Sequence, residues 1–182
     1  MAMGLTIPRY TVDDLEQFPD DGNRYELLDG VLIVTPAPAV VHEVVISRIH
    51  TRLSLAVRVP GIAHVLGHGA VTRLPNTQLE PDLLVLPQRF PLDAKWHEIT
   101  DRWLAVEVFS PSSYFYDRRV KRDAYLALGL REVWLVDPRT KTFEVCVAPG
   151  PGEIVRDVVR WRAPGLSIDV PVDHAEIFAG VA

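Results

Sequence analysis

The chain has 182 residues, 48% of them hydrophobic, with a mean hydropathy of +0.10 and a formal net charge of -5. That is enough core material for one domain, expected to span 1–182, while the acidic balance excludes coating of nucleic acid by bulk electrostatics, so any polyanion must meet a local basic face. No apolar run reaches the ~20 residues needed to cross a bilayer, and a lone Cys146 behind a start without signal-peptide order points to a reducing, cytoplasmic compartment.

In chain order, Thr11 to Phe18 is amphipathic, with Asp13 and Asp14 where a helix's first turn favours acids, and is expected as a short helix ended by Pro19-Asp-Asp-Gly22. Tyr25 to Leu28 and Val31 to Thr35 flank Asp29-Gly30, a strong hairpin signal, and should pair antiparallel. Val41, Val45, Ile49, Leu53 and Ala56 recur at helical spacing, predicting a helix from about Ala39 to Val59 that stops at Pro60-Gly61. Short strands follow at Ile62 to Leu66 and Ala70 to Leu74, and a buried strand runs from Glu80 to Leu86, with Asp82 near its start.

The next strand, Trp103 to Pro111, is apolar except for Glu107 in its middle. Burying an unpaired carboxylate costs several kcal/mol or more, roughly, so Glu107 requires a partner, a metal or a solvent-filled cleft. Ser110-Pro111-Ser-Ser113 is turn and N-cap chemistry, Tyr114 to Leu128 is a helix closed by Gly129, and Leu130 to Asp137 is another strand. Thr142 to Val147, Ile154 to Trp161 and Leu166 to Val170 should form a meander, with Val172 to Phe178 as a tail. Strand, helix and strand around Glu107 form a crossover unit, giving an α/β or α+β fold with a mixed central sheet.

Asp82 and Glu107 both sit on apolar strands, and adjacent strands lie about 4.8 Å apart. If those strands are neighbours in register, the two carboxylates converge, and a hard cation such as Mg²⁺ or Mn²⁺ would relieve their repulsion. With sixteen Arg against three Lys, each lysine is notable. Lys121 shares a helical stripe with Asp117, Tyr125 and Leu128, so its ammonium can reach towards the acids. There it could orient an attacking water or stabilise charge developing on phosphorus.

Pro81-Asp82 followed after twenty-five residues by Glu107 resembles the PD-(D/E)XK nuclease superfamily. Val106 to Ser113, then Asp117-x-x-x-Lys121-x-x-x-Tyr125 and Gly129 to Pro138, resembles the Uma-two family of restriction-endonuclease-like proteins within it. Tyr25-Glu-Leu-Leu-Asp-Gly30 and the Pro36-to-His42 segment are similar to that family's amino-terminal signature, so the likeness covers about Thr11 to Val147. The resemblance implies a restriction-endonuclease-like core, Mg²⁺-dependent (or Mn²⁺-dependent) phosphodiester cleavage, and Asp82 and Glu107 as metal ligands. Phe109 stands where the superfamily has a lysine, and the Uma-two pattern supplies Lys121 instead.

Glu26, within an apolar strand, could pair with Arg24, face water or, by the resemblance, edge the active site. His42 could be a substrate or metal-shell contact, or a hydrogen-bonded structural histidine. Tyr125 is expected in the core with a buried hydroxyl partner, in a supporting role. Arg118, Arg119 and Arg122 form either a solvated helix face or the local phosphate-binding patch. The expected function is a metal-dependent endonuclease acting on nucleic acid, DNA in the first instance, with a homodimer to cut both strands. Two alternatives stand beside it: a nuclease fold that only binds nucleic acid or protein, and a hydrolase of another phosphoester.

Overall fold

The computed structural model describes residues 8–110 and 117–181, and the side chains of Asp117 and Arg118 lie outside the description. A six-stranded mixed sheet forms the centre, in the order β10-β9-β8-β7-β6-β3. Its strands are β3 (Ala63–Gly67), β6 (Leu83–Pro87), β7 (Arg102–Val108), β8 (Leu130–Asp137), β9 (Thr142–Cys146) and β10 (Glu153–Val155). Only β7 and β8 run parallel; the other pairings are antiparallel. The helical segment between β7 and β8 is the expected crossover, a π-helical turn at Asp117–Lys121 continuing into α2 (Arg122–Ala127). Gly129, at φ 89, ends it in the left-handed conformation that glycine adopts without steric cost. Tyr114 to Tyr116 of the expected helix, and the cap expected at 111–113, lie outside the described residues.

A second, four-stranded sheet has the order β2-β1-β5-β4, from β1 (Arg24–Leu28), β2 (Val31–Thr35), β4 (Val71–Arg73) and β5 (Thr77–Leu79). Asp29 and Gly30 both take positive φ, 49 and 79, as a two-residue turn between right-twisted strands requires. The amino-terminal stretch folds as a single 3₁₀ helix, Val12–Gln17, capped by Thr11 and Asp14. Helix α1 (Val40–Leu53) runs into a π-helical turn at Ser54–Arg58, so the expected 39–59 helix is continuous but wider at its end.

Period-two alternation gives the central sheet two buried faces. Leu83, Val85, Leu104, Val106, Trp134 and Val136 face α1, through Val45, Ile49 and Leu53. Leu84, Leu86, Ala105, Val133 and Leu135 face the other way, onto Tyr125 of α2 and onto Val71 and Leu79 of the second sheet. Glu107, two residues after Ala105, therefore points between the two sheets beside α2.

The carboxy-terminal strands correct the expected meander. β9 and β10 extend the central sheet, while β11 (Val158–Arg162) and β12 (Asp169–Asp173) pair with each other alone. The run 154–161 is thus two strands, broken at Arg156 and Asp157, and the tail holds the end of β12 and a short helix, α3 (His174–Ile177). Among the described residues no helix is long and apolar enough to cross a membrane.

Candidate active site

The β6–β7 ladder pairs Leu83 with Val106, so one antiparallel step further sets Asp82 beside Glu107. Asp82, just before β6, turns one oxygen back onto β7: its Oδ2 accepts the Val108 N–H at 2.8 Å. Both carboxylates are buried, at 5% and 2% exposed. The conditional neighbourhood read from the two strands is present.

Lys121 is the last residue of the π-helical turn and is itself buried. Its Nζ lies 3.3 Å from Glu107 Oε1 and 2.7 Å from Glu26 Oε2. The contact to Glu26 is short but off the hydrogen-bond direction, so it acts through charge. The other Glu26 oxygen accepts the Glu80 N–H at 2.7 Å. Tyr125, one helical turn after Lys121, donates its hydroxyl to Glu107 Oε1 at 2.6 Å. A short donor to an ionised oxygen is a strong hydrogen bond, and it fixes the carboxylate's orientation.

Arg24 and His42 complete the cluster around Asp82. Both terminal nitrogens of Arg24 lie 3.1 Å from Asp82 Oδ1, and its Nη1 also donates to the Glu80 carbonyl at 2.9 Å. His42, in the first turn of α1, places Nε2 3.2 Å from Asp82 Oδ2 and Nδ1 3.3 Å from Glu43. Arg24, His42, Asp82, Glu107 and Lys121 line a cleft of about 630 Å³ whose walls also include Tyr25, His68 and Glu80.

The electrostatics follow from this packing. Burial works to raise the pKa of Asp82, but the hydrogen bond and charge of His42, the Arg24 guanidinium and the Val108 N–H win, and the net direction is down. Burial works to lower that of His42, and the bond and charge of Asp82, then of Glu43, carry it upward instead. Glu80 is raised, first by burial and then by the negative charge of Glu26. Burial opposes the Arg24 charge too, yet Asp82, Glu107 and Glu26 together raise its pKa. The three buried carboxylates, Glu26, Asp82 and Glu107, thus share two side-chain cations, Arg24 and Lys121, and the negative charge left over among them is balanced when His42 is protonated.

Asp82, Glu107, Lys121, Glu26, His42 and Tyr125 therefore meet at one place. Of the options read from sequence, Glu26 pairs with Lys121 and not with Arg24, and the Tyr125 hydroxyl has its buried partner. The expected basic patch does not survive as three arginines. Arg122 is buried, 2.8 Å from Asp123 and 3.7 Å from Glu144, where its guanidinium neutralises acids of the scaffold. Arg119 is exposed, and the side chain of Arg118 lies outside the described residues. Sequence reasoning named Arg24 only as a possible partner of Glu26 and not as a site residue, although its two-residue offset from Glu26 on one strand places both on one face.

The ion implied by the resemblance is hard and prefers oxygen, and the donor set fits it in kind: three buried carboxylates beside a histidine, with no thiolate. Among the described residues no three His, Cys, Asp or Glu side chains are grouped as a ready cage. Arg24, His42 and Lys121 are interleaved between the acids. Asp82 and Glu107, adjacent on neighbouring strands, are the residues that would hold such an ion.

The sequence model of the Uma2 family, described as "Putative restriction endonuclease", matches residues 12–171. Among solved structures, a crystal structure described as a putative nuclease belonging to DUF820 from Anabaena variabilis ATCC 29413 is similar, with 19% identity and a TM-score of 0.72. The match covers 95% of this chain and 99% of that one, and at that identity it establishes the shared fold. No curated protein matches the sequence. A family match over so much of the length, on a mixed sheet that sets Asp82 against Glu107, means that the chain belongs to the Uma2 family of restriction-endonuclease-like proteins.

Proposed function

We propose that the protein is a divalent-metal-dependent endonuclease that hydrolyses phosphodiester bonds in nucleic acid, with DNA as the substrate. The observation that carries this reading is the Lys121 ammonium between Glu26 and Glu107, one strand from Asp82, in an open cleft. Asp82, kept ionised by its lowered pKa, and Glu107 are the residues that would hold a Mg²⁺ or Mn²⁺ ion. Such an ion, when bound, supplies Lewis-acid polarisation of a phosphoryl oxygen and eases ionisation of a water.

The chain's own residues supply the rest. Tyr125 orients the Glu107 carboxylate, and Lys121, anchored by Glu26, orients the attacking water and stabilises negative charge developing on the phosphoryl oxygens. Phe109 leaves the usual lysine position apolar, packed in the cluster that contains Tyr125 and Leu135. Lys121 reaches the same carboxylate from the helix. Cutting both strands of a duplex would engage a second copy of the chain.

Asp82→Asn and Glu107→Gln should each lower Mg²⁺-dependent cleavage of DNA by at least about 100-fold, since ligand loss exceeds the usual cost of removing an outer-shell partner. Far-ultraviolet circular dichroism should show the fold retained. Cleavage persisting in both purified variants would overturn the reading. A second reading, a nuclease fold that only binds its partner, draws on one observation: both oxygens of Asp82 already have protein partners. Calorimetry separates the two, because a binding module takes up no Mg²⁺ or Mn²⁺ at millimolar concentration.

A further inference from the structure

Both oxygens of Asp82 are engaged, so any cation that uses this carboxylate must exchange with something. Oδ2 accepts the Val108 N–H and faces His42 Nε2, while Oδ1 is held by Arg24. Releasing Val108 would strand a buried backbone donor at the end of β7, which is costly. His42 is fixed by its place in α1, with a side chain only 8% exposed. Arg24 is different: it is a long side chain, 20% exposed, and keeps the Glu80 carbonyl as an alternative partner.

The charge balance selects the same residue. With Arg24 in place, a divalent ion added to Glu26, Asp82, Glu107 and Lys121 would leave the cluster positive. With Arg24 withdrawn and His42 a neutral imidazole, the ion and Lys121 together neutralise the three carboxylates Glu26, Asp82 and Glu107. Lys121 cannot take the leaving role as readily, because it is 3% exposed and clamped between two acids. We infer that Arg24 is the exchangeable counter-ion of Asp82: it yields Oδ1 to a divalent cation, and its freed guanidinium then contacts a phosphate oxygen of the substrate in the cleft. The guanidinium suits the second task, since its planar fork of donors matches a phosphate and never loses its charge. Arg24 becomes a positioning residue whose two partners are a carboxylate and a phosphodiester in turn. This inference rests on the metal-dependent reading above.

The test is a Mn²⁺ titration of the full chain, followed by calorimetry and electron paramagnetic resonance, on wild type, Arg24→Gln, Arg24→Lys and Asp82→Asn. Arg24→Gln should bind Mn²⁺ about 10-fold more tightly, because no cation competes for Oδ1. Arg24→Lys, which keeps the charge and loses the fork, should fall between, and it decides the matter alone if the glutamine variant does not fold. With Ca²⁺ present, the glutamine variant should bind a short DNA oligonucleotide about 10-fold more weakly than wild type. Mn²⁺ affinity unchanged or weakened in both Arg24 variants, with binding still lost in Asp82→Asn, would overturn the role of Arg24 and leave the nuclease reading standing. No Mn²⁺ binding in any of the four proteins would overturn both.

Discussion

β7 buries a charge near each of its ends, and the surroundings treat the two in opposite ways. Arg102, 5% exposed, donates to the carbonyls of Leu128 at 3.0 Å, Thr72 at 3.3 Å and, at the limit, Trp96 at 3.5 Å. No carboxylate among the described residues pairs with it, and burial alone lowers its pKa. Leu128 follows the last turn of α2, so the guanidinium answers the partial negative charge of that helix end. Glu107 instead meets an ammonium and a phenol in the company of two further carboxylates. Burial of a charge does not distinguish the two ends. What marks the second as the candidate site is a surplus of acid over cation beside an open cleft, the condition in which another cation is favoured.

That contrast breaks if Arg102 serves the chemistry or if Glu107 serves the scaffold. Arg102→Met removes the guanidinium that donates to the Leu128 and Thr72 carbonyls, and unfolding in urea should show a loss of about 3 kcal/mol. The folded fraction should still cleave DNA at the wild-type rate. Cleavage lost without loss of stability would erase the distinction between the two ends of the strand.

A smaller effect separates orientation from filling. Tyr125→Phe keeps a ring that is fully buried and removes only the hydroxyl donated to Glu107. A hydrogen bond to a charged group contributes about 1.5–3 kcal/mol, and outer-shell changes cost about 10- to 100-fold in activity. The variant should lie in that range, well above the Asp82→Asn residue of activity, as read by single-turnover cleavage. Wild-type rates would reduce Tyr125 to packing.

How far the site could be read in the sequence follows the range of the signals. Glu107 stands out locally, as a charge in an apolar strand, and Lys121 shares a four-residue spacing with Tyr125, so both were accessible to periodicity. The approach of Asp82 to Glu107 depended on strand order, which two apolar runs do not encode, and β6–β7 pairing supplied it. The burial of Arg122 was not legible: beside its neighbour Asp123 at 2.8 Å, its guanidinium also lies 3.7 Å from Glu144 on β9, twenty-two residues away, a contact that helical spacing does not encode. Strand β5, three residues directly after Pro75 and Asn76, was not expected, although Gln78 pairs with Leu27 of β1 and Thr77 to Leu79 pair with β4. The carboxy-terminal runs showed their strands but not their partners: Pro149-Gly150-Pro151-Gly152 returns the chain onto β9, while Pro164-Gly165 closes a separate hairpin.

His42 gives the smallest and most specific test of the charged end. Its pKa is raised above the ordinary 6.5 in the folded protein, so protonation favours the folded state. That stabilisation is fully present below pH 6.5 and is lost as pH rises through the folded value. Asp82 works in the other direction: its lowered pKa gives stability that is present above the ordinary 3.8 and is lost as pH falls through the folded value. The pair is therefore strongest between the two folded values. His42→Gln keeps polar atoms near Asp82 but cannot take up the charge, so its melting temperature should lack the decline that wild type shows above pH 6.5. Below that pH the wild type should melt higher, and above the folded value the two profiles should run parallel. Parallel profiles across the entire range from pH 5 to 9 would mean that His42 holds Asp82 as a neutral hydrogen-bond donor, and the cluster would then carry its surplus negative charge at every pH.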